Sequence, residues 1–153
     1  MKFQFINIGR QHDEHLKTSI DDFTKRINKY YKVEWIIIPP VKNAASLSPN
    51  DIKENEAQPL LSKIGTDDFL ILLDETGKQL SSVELANFIS QKAIQSTKNI
   101  IFLIGGAFGV SDTIKQRANF SWSLSKLVFP HMIVRLILAE QVYRACTILR
   151  NEK

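Results

Sequence analysis

Two short runs of this sequence are apolar almost without interruption, DFLILL at 68–73 and NIIFLI at 99–104. Such runs are too short and too greasy for a surface helix, so each reads as a strand buried on both faces. Strands of that kind belong to a largely parallel sheet covered by helices above and below. The rest of the pattern supplies those layers. KFQFINI at Lys2–Ile8 alternates as a strand, VEWIII at Val33–Ile38 is stopped by Pro39 and Pro40, and FSWSLS at 120–125 is strand-like. Helical spacing of Leu16, Ile20, Phe23, Ile27 and Tyr30 predicts a helix over His12–Tyr31. Ser48-Pro49-Asn50-Asp51 opens a second helix reaching about Ile64, and Ser81 with Glu84 forms a capping box for a third, to about Ser96. A short helix over Ser111–Ala118 and a long one over His131–Arg150 complete the series. Val41–Leu47 is expected to be a polar loop and Asp74–Lys78 a polar turn. The expectation is an α/β fold, a mostly parallel sheet flanked by helices, in one domain over residues 1–153.

Composition narrows the function classes. The 153 residues are 44% hydrophobic and 24% charged, with net charge +4, ordinary for a globular domain and only mildly basic. The charge is uneven: residues 1–49 carry a net +3, residues 50–100 a net −3 and residues 101–153 a net +4, so an anionic partner is sought first in the last third. One cysteine excludes a disulfide framework and a cysteine-only zinc site, and three unclustered histidines give no metal site, so no metal is expected. A reducing, cytoplasmic setting is expected. The start of the chain is too short in apolar residues for a signal peptide, and Arg135 interrupts the hydrophobic run Met132–Leu138, so no membrane span is expected.

Chemistry can sit in three places. Three of the six glycines fall in Gly105-Gly106-Ala107-Phe108-Gly109, directly after a buried strand. This is either a loop that brings backbone close to a ligand or an ordinary strand-to-helix turn. It is neither the spaced glycine motif of dinucleotide folds nor a P-loop. The segment Leu124 to His131 places apolar side chains around irregular backbone, suited equally to cradling an adenine ring and to plugging the core. The last helix, apolar nearly all round, still carries Arg135, Glu140, Gln141 and Arg144. Glu140 and Arg144, at i and i+4, suit an intrahelical ion pair, while such charges on a greasy helix also suit a dimer interface or an RNA-facing rim. Cys146 reads as a buried small hydrophobe, and His12 and His15 as solvated. Hydrolase, metalloprotease and RRM motifs are missing.

With FLIGGAFG at 102–109, SLSKLVFPHMIVRLILAEQVYRA at 123–145 and LLDETGKQLSS at 72–82 in order, the sequence resembles the RlmH family along its whole length. These are pseudouridine N3-methyltransferases of large-subunit (23S) ribosomal RNA, of the SPOUT class. The resemblance implies a SPOUT-type fold with a C-terminal trefoil knot, a rarity among chains. It also implies a cofactor, S-adenosylmethionine, held at Leu73, at Gly105 and Gly106, and at Leu124, Ser125, Lys126, Leu127, Val128 and Phe129. It further implies a homodimer acting on ribosomal RNA in the assembled ribosome. Arg135 and Arg144 are then expected to contact RNA phosphate or the anionic base, and Glu140 to orient Arg144 or serve the proton transfer. Family members usually end in a short tail with Tyr-His, whereas this sequence stops at Asn151-Glu152-Lys153; either the chain is truncated or this member lacks those groups, and as it stands cofactor binding is expected to persist and catalysis to be impaired. A SPOUT methyltransferase acting on tRNA and a non-catalytic ribosome- or RNA-binding module of the same fold are the alternatives.

Overall fold

The computed structural model describes residues 1–153. In chain order the elements are β1 (Lys2–Ile8), α1 (Glu14–Ile27), β2 (Lys32–Ile38), α2 (Pro49–Leu61), β3 (Phe69–Gln79), α3 (Ser82–Ile94), β4 (Asn99–Ile104), α4 (Asp112–Arg117), β5 (Phe120–Ser123) and α5 (His131–Leu149). The five strands form one sheet in the order β2-β1-β4-β3-β5, and every pairing is parallel. Phe5 sits opposite both Trp35 and Phe102, and Leu73 opposite both Ile104 and Trp122. Parallel strands all run toward one edge of the sheet, so the connections after Ile8, Ile104 and Ser123 and the part of β3 beyond Leu73 come to the same side.

Two apolar layers hold the sheet. One gathers Phe3, Phe5, Phe102, Ile104 and Trp122 beneath Leu138, Ala139, Val142, Ala145 and Cys146 of α5, with α1 and α3 alongside. The other packs Ile6, Ile8, Leu70, Leu72, Ile101 and Leu103 against Ala57 and Leu60 of α2 and Ile114 of α4. The wholly apolar strand runs thus face helices on both sides, which is why they lack alternation. Cys146 is buried, as its neighbours on the helix require.

Helix boundaries follow their caps. The Ser81 hydroxyl accepts from the Glu84 amide while the Glu84 carboxylate accepts from the Ser81 amide, closing the capping box. Ser48 caps α2 by accepting from the Asp51 amide, with Pro49 in the first turn. The helix expected from His12 starts instead after Asp13, whose carboxylate accepts from the His15 amide, and ends at Ile27. The second helix closes at Leu61 rather than Ile64. Within the expected 41–47 loop, Ala44–Ser46 make a short 3-10 turn.

The largest departure is the expected polar turn at Asp74–Lys78. Those residues continue β3, with the register to β5 shifting between Leu73 and Lys78. Gly77 permits this. A Cβ there would lie 2.6 Å from the Ser121 carbonyl carbon and oxygen, so only glycine lets β5 come this close.

Candidate functional site

The far half of β3 and the connections leaving β4 and β5 enclose a cleft of about 500 Å³. Leu73 to Thr76 form one wall, Gly105 to Val110 a second, and Leu124, Ser125, Leu127, Val128 and Phe129 a third, with His131 and Val134 of α5 beneath. Leu73, Gly105, Gly106, Leu124, Ser125, Leu127, Val128 and Phe129, expected from scattered stretches of sequence, therefore meet around one space. Lys126 does not line it; its side chain is exposed.

The glycine loop turns tightly. The Gly109 amide donates to the Gly106 carbonyl at 3.0 Å, and Gly109 has φ +81°, a conformation that side chains resist. A side chain on Gly105 would meet the Val110 methyl at 2.9 Å and the Gly109 backbone at 3.2 Å. At Gly106 a side chain would point at the Glu56 carboxyl of α2, 3.0 Å away.

Three features suit the cleft to a flat, polar-edged ligand. The main chain from Leu124 to Phe129 makes no hydrogen bond to other backbone; the Ser125 carbonyl accepts from the Ser123 hydroxyl and the Leu127 amide donates to Ser125 Oγ, and the remaining N–H and C=O groups are left to read an edge. Phe108, Leu127 and Val128 are 54%, 68% and 78% exposed at the walls, an unusual amount of apolar surface to leave in water. The indole N–H of Trp122, buried in the wall, has no partner.

Asp74 and the exposed Glu75 are acidic groups of the cleft that sequence reasoning missed, because their stretch has the composition of a turn; Asp74 is the half-buried one. Burial pushes its carboxyl up, but the Thr76 hydroxyl and amide, donating at 2.6 and 2.8 Å, together with the Lys115 ammonium, outweigh that and hold it below the usual carboxylate range. A charge immediately after an apolar strand was the available signal. His131 is held below its ordinary value by burial and by Arg135.

The three charged residues expected on the last helix are arranged differently. Arg135 is not on a rim. It is 1% exposed, with Nη1 donating to the Arg10 carbonyl at 2.9 Å and lying 3.2 Å from His12 Nδ1. Enclosed in this way, the guanidinium ties the β1–α1 connection to α5. His12, expected to be solvated, packs edge-on against Trp35 with ring centroids 4.8 Å apart, while His15 is exposed. Glu140 and Arg144 form the intrahelical pair, with Arg144 Nε donating to Glu140 at 2.9 Å, and Glu140 also accepts from Gln141 at 2.6 Å. Neither lines the cleft. At the helical rise they stand about 14 and 20 Å along α5 from His131.

No group of three or more His, Cys, Asp or Glu gathers in a metal-binding cluster, and no helix is long and apolar enough to cross a membrane. Residues 1–153 match the family model described as "Predicted SPOUT methyltransferase". The chain belongs to the SPOUT methyltransferase family. Among SPOUT relatives, a protein of Flavobacterium johnsoniae is 45% identical over 152 residues, covering 99% of this chain and 97% of that one. A Cytophaga hutchinsonii protein is 42% identical over 153 residues (100% and 98%), and one from Bacteroides thetaiotaomicron 38% over 151 (99% and 96%). All three are named "Ribosomal RNA large subunit methyltransferase H". The SPOUT match spans every residue that lines the cleft.

Proposed function

We propose that this protein transfers a methyl group from S-adenosylmethionine to N3 of a pseudouridine in 23S ribosomal RNA, in the assembled ribosome. The observation that carries the reading is the cleft itself. It joins backbone at 124–129 that bonds to no other backbone, exposed apolar side chains and the acidic groups Asp74 and Glu75 in a chain whose relatives are named for ribosomal RNA methylation. The knot expected of the family is part of the proposal, supported by the sheet order and by the meeting at one cleft of the far half of β3 with the loops leaving its neighbours β4 and β5. So are the single-domain organisation of residues 1–153 and a cytoplasmic location, where ribosomes are.

The residues suit the donor. Leu73, Gly105, Gly106 and the 124–129 segment would hold the adenine and ribose, with Leu127, Val128 and Phe129 covering the ring. Lys126 contributes backbone only. Asp74, kept ionised, is an acceptor for hydroxyl or ammonium groups. When bound, S-adenosylmethionine supplies a methyl group on a cationic sulfur, open to in-line displacement. The chain's own task is alignment and exclusion of water. Arg135 serves as a positioning residue, fixing the Arg10–His12 connection beside the cleft.

The acceptor's N3 proton must also leave, and Glu140 and Arg144 lie too far along α5 to assist within one protomer. In a homodimer they would act at the partner subunit's cleft, Arg144 toward phosphate or the anionic base and Glu140 orienting it. The outward stripe of α5 supports such a seam: Ile133 is 40% exposed and Leu136 and Ile137 are only half-buried.

The test uses labelled S-adenosylmethionine with ribosomes lacking the modification, free ribosomal RNA and tRNA. Label in ribosomes alone is expected. Label in tRNA would move the substrate class, and donor binding without transfer to any RNA would make the protein a binding module.

A further inference from the structure

On the face of the sheet opposite Arg135, α2 turns one carboxyl inward. Ile52, Glu56 and Leu60 form one helical stripe, and all three are buried. Glu56 therefore occupies a position where the period calls for an apolar side chain, and it is only 6% exposed. It takes part in none of the chain's three ion pairs. Burial alone pushes its carboxyl above the usual range, with no neighbouring charge or hydrogen bond contributing. A buried carboxyl without a partner is costly, and such groups concentrate where a ligand completes them.

Its position indicates the ligand. The two carboxyl oxygens lie 3.0 and 3.1 Å from the point where a Gly106 side chain would begin. Gly106 lines the cleft and Glu56 does not, so the backbone of the glycine loop is what separates the carboxyl from the bound molecule. The absence of a side chain at residue 106 leaves room for this approach.

Resting on the reading of the cleft as a methyl-donor site, we propose that Glu56 is its charge-sensing residue, a carboxyl acting across the Gly106 backbone on the cation at the donor's sulfur. S-adenosylmethionine and its product S-adenosylhomocysteine share adenine, ribose and amino-acid groups. They differ by one methyl and by the positive charge on sulfur. Apolar walls, backbone edges and an Asp74 carboxylate engaged with the shared hydroxyl or ammonium groups cannot tell them apart, whereas a carboxylate facing the sulfur in a poorly solvated setting can. The attraction favours the donor before transfer and vanishes once the sulfur is neutral, which eases product release.

Calorimetric affinities for S-adenosylmethionine and S-adenosylhomocysteine, measured on the full chain and on Glu56→Gln and Glu56→Asp, test this. Glutamine matches the shape without the charge and removes a buried ionisable group, so folding is kept. Glu56→Gln is expected to weaken S-adenosylmethionine about tenfold, the scale of one modest charge interaction, and to leave S-adenosylhomocysteine within about twofold. Glu56→Asp, retaining the charge, is expected to retain most of the preference. Equal weakening of both ligands, no change in either, or an aspartate variant as indifferent as the glutamine one overturns the role of Glu56 alone. Wild-type protein that binds neither ligand overturns the reading of the cleft itself.

Discussion

Nδ1 of His12 lies 3.2 Å from Nη1 of Arg135, and the same guanidinium nitrogen donates to the Arg10 carbonyl. Arginine can only donate, so Nδ1 accepts and the imidazole carries its proton on Nε2. One side chain of α5 thereby fixes the connection after β1, next to the cleft that His131, one turn earlier on α5, helps to line.

That contact sets a pH dependence. Burial first, then the Arg135 charge, hold His12 below its ordinary 6.5, with Lys17 adding to the effect and Asp21 opposing it. The unfolded chain regains the ordinary value and so binds a proton the folded chain refuses. Stability from this group is complete above 6.5 and is lost as pH falls from there toward the lower folded value. Replacing His12 by Gln keeps an acceptor for Arg135 and removes the titration. Between about pH 7.5 and about pH 5 the melting temperature of His12→Gln should fall less than that of the wild type; parallel curves would show that His12 does not titrate against Arg135.

Gly77 is expected to be intolerant of any side chain. A Cβ would press on the Ser121 backbone at 2.6 Å, and backbone in a paired strand cannot swing aside. Gly77→Ala should cost about 1–3 kcal/mol in urea unfolding and, because β5 leads into the 124–129 segment, also weaken donor binding. A fully stable variant would mean that β5 does not lie where β3 bulges.

Asp74 should matter to the ligand and little to the fold. Asp74→Asn preserves an acceptor for Thr76 while removing the charge, so S-adenosylmethionine affinity is expected to drop about tenfold with a melting temperature near the wild-type value. Calorimetry with a matched thermal melt distinguishes this from general damage.

Arg144 offers the opposite control. Its pairing with Glu140 is exposed, and removing such a pair costs roughly 0.3–0.5 kcal/mol. Arg144→Ala should leave stability and donor affinity almost unchanged while lowering methyl transfer to ribosomes. Transfer at the wild-type rate would leave Arg144 as a surface ion pair and no more.

Much of this was legible in the residues because the decisive signals are local. Seamless apolar runs require helices on both faces, Ser81 with Glu84 opens a helix, and paired glycines after a buried strand allow a tight loop. The failures share a different cause. Asp74–Lys78 has the composition of a turn, but its conformation is set by β5, some 45 residues away, accepting a glycine as neighbour. Arg135 has the chemistry of a surface group, yet a carbonyl 125 residues distant makes its burial tolerable. Glu56 lay unnoticed in a helix whose buried side is only evident once the glycine loop is seen against it. In each case the partner that decides the outcome is remote in sequence and close in space.

Where the methyl group comes to rest is the most direct measurement of all. After incubation of the protein with labelled S-adenosylmethionine and ribosomes lacking the modification, the large-subunit RNA is digested to nucleosides and the label followed by chromatography and mass spectrometry. The expected result is a single labelled nucleoside, pseudouridine methylated at N3. Label on another nucleoside, in tRNA, or nowhere despite saturating donor would contradict the proposed function.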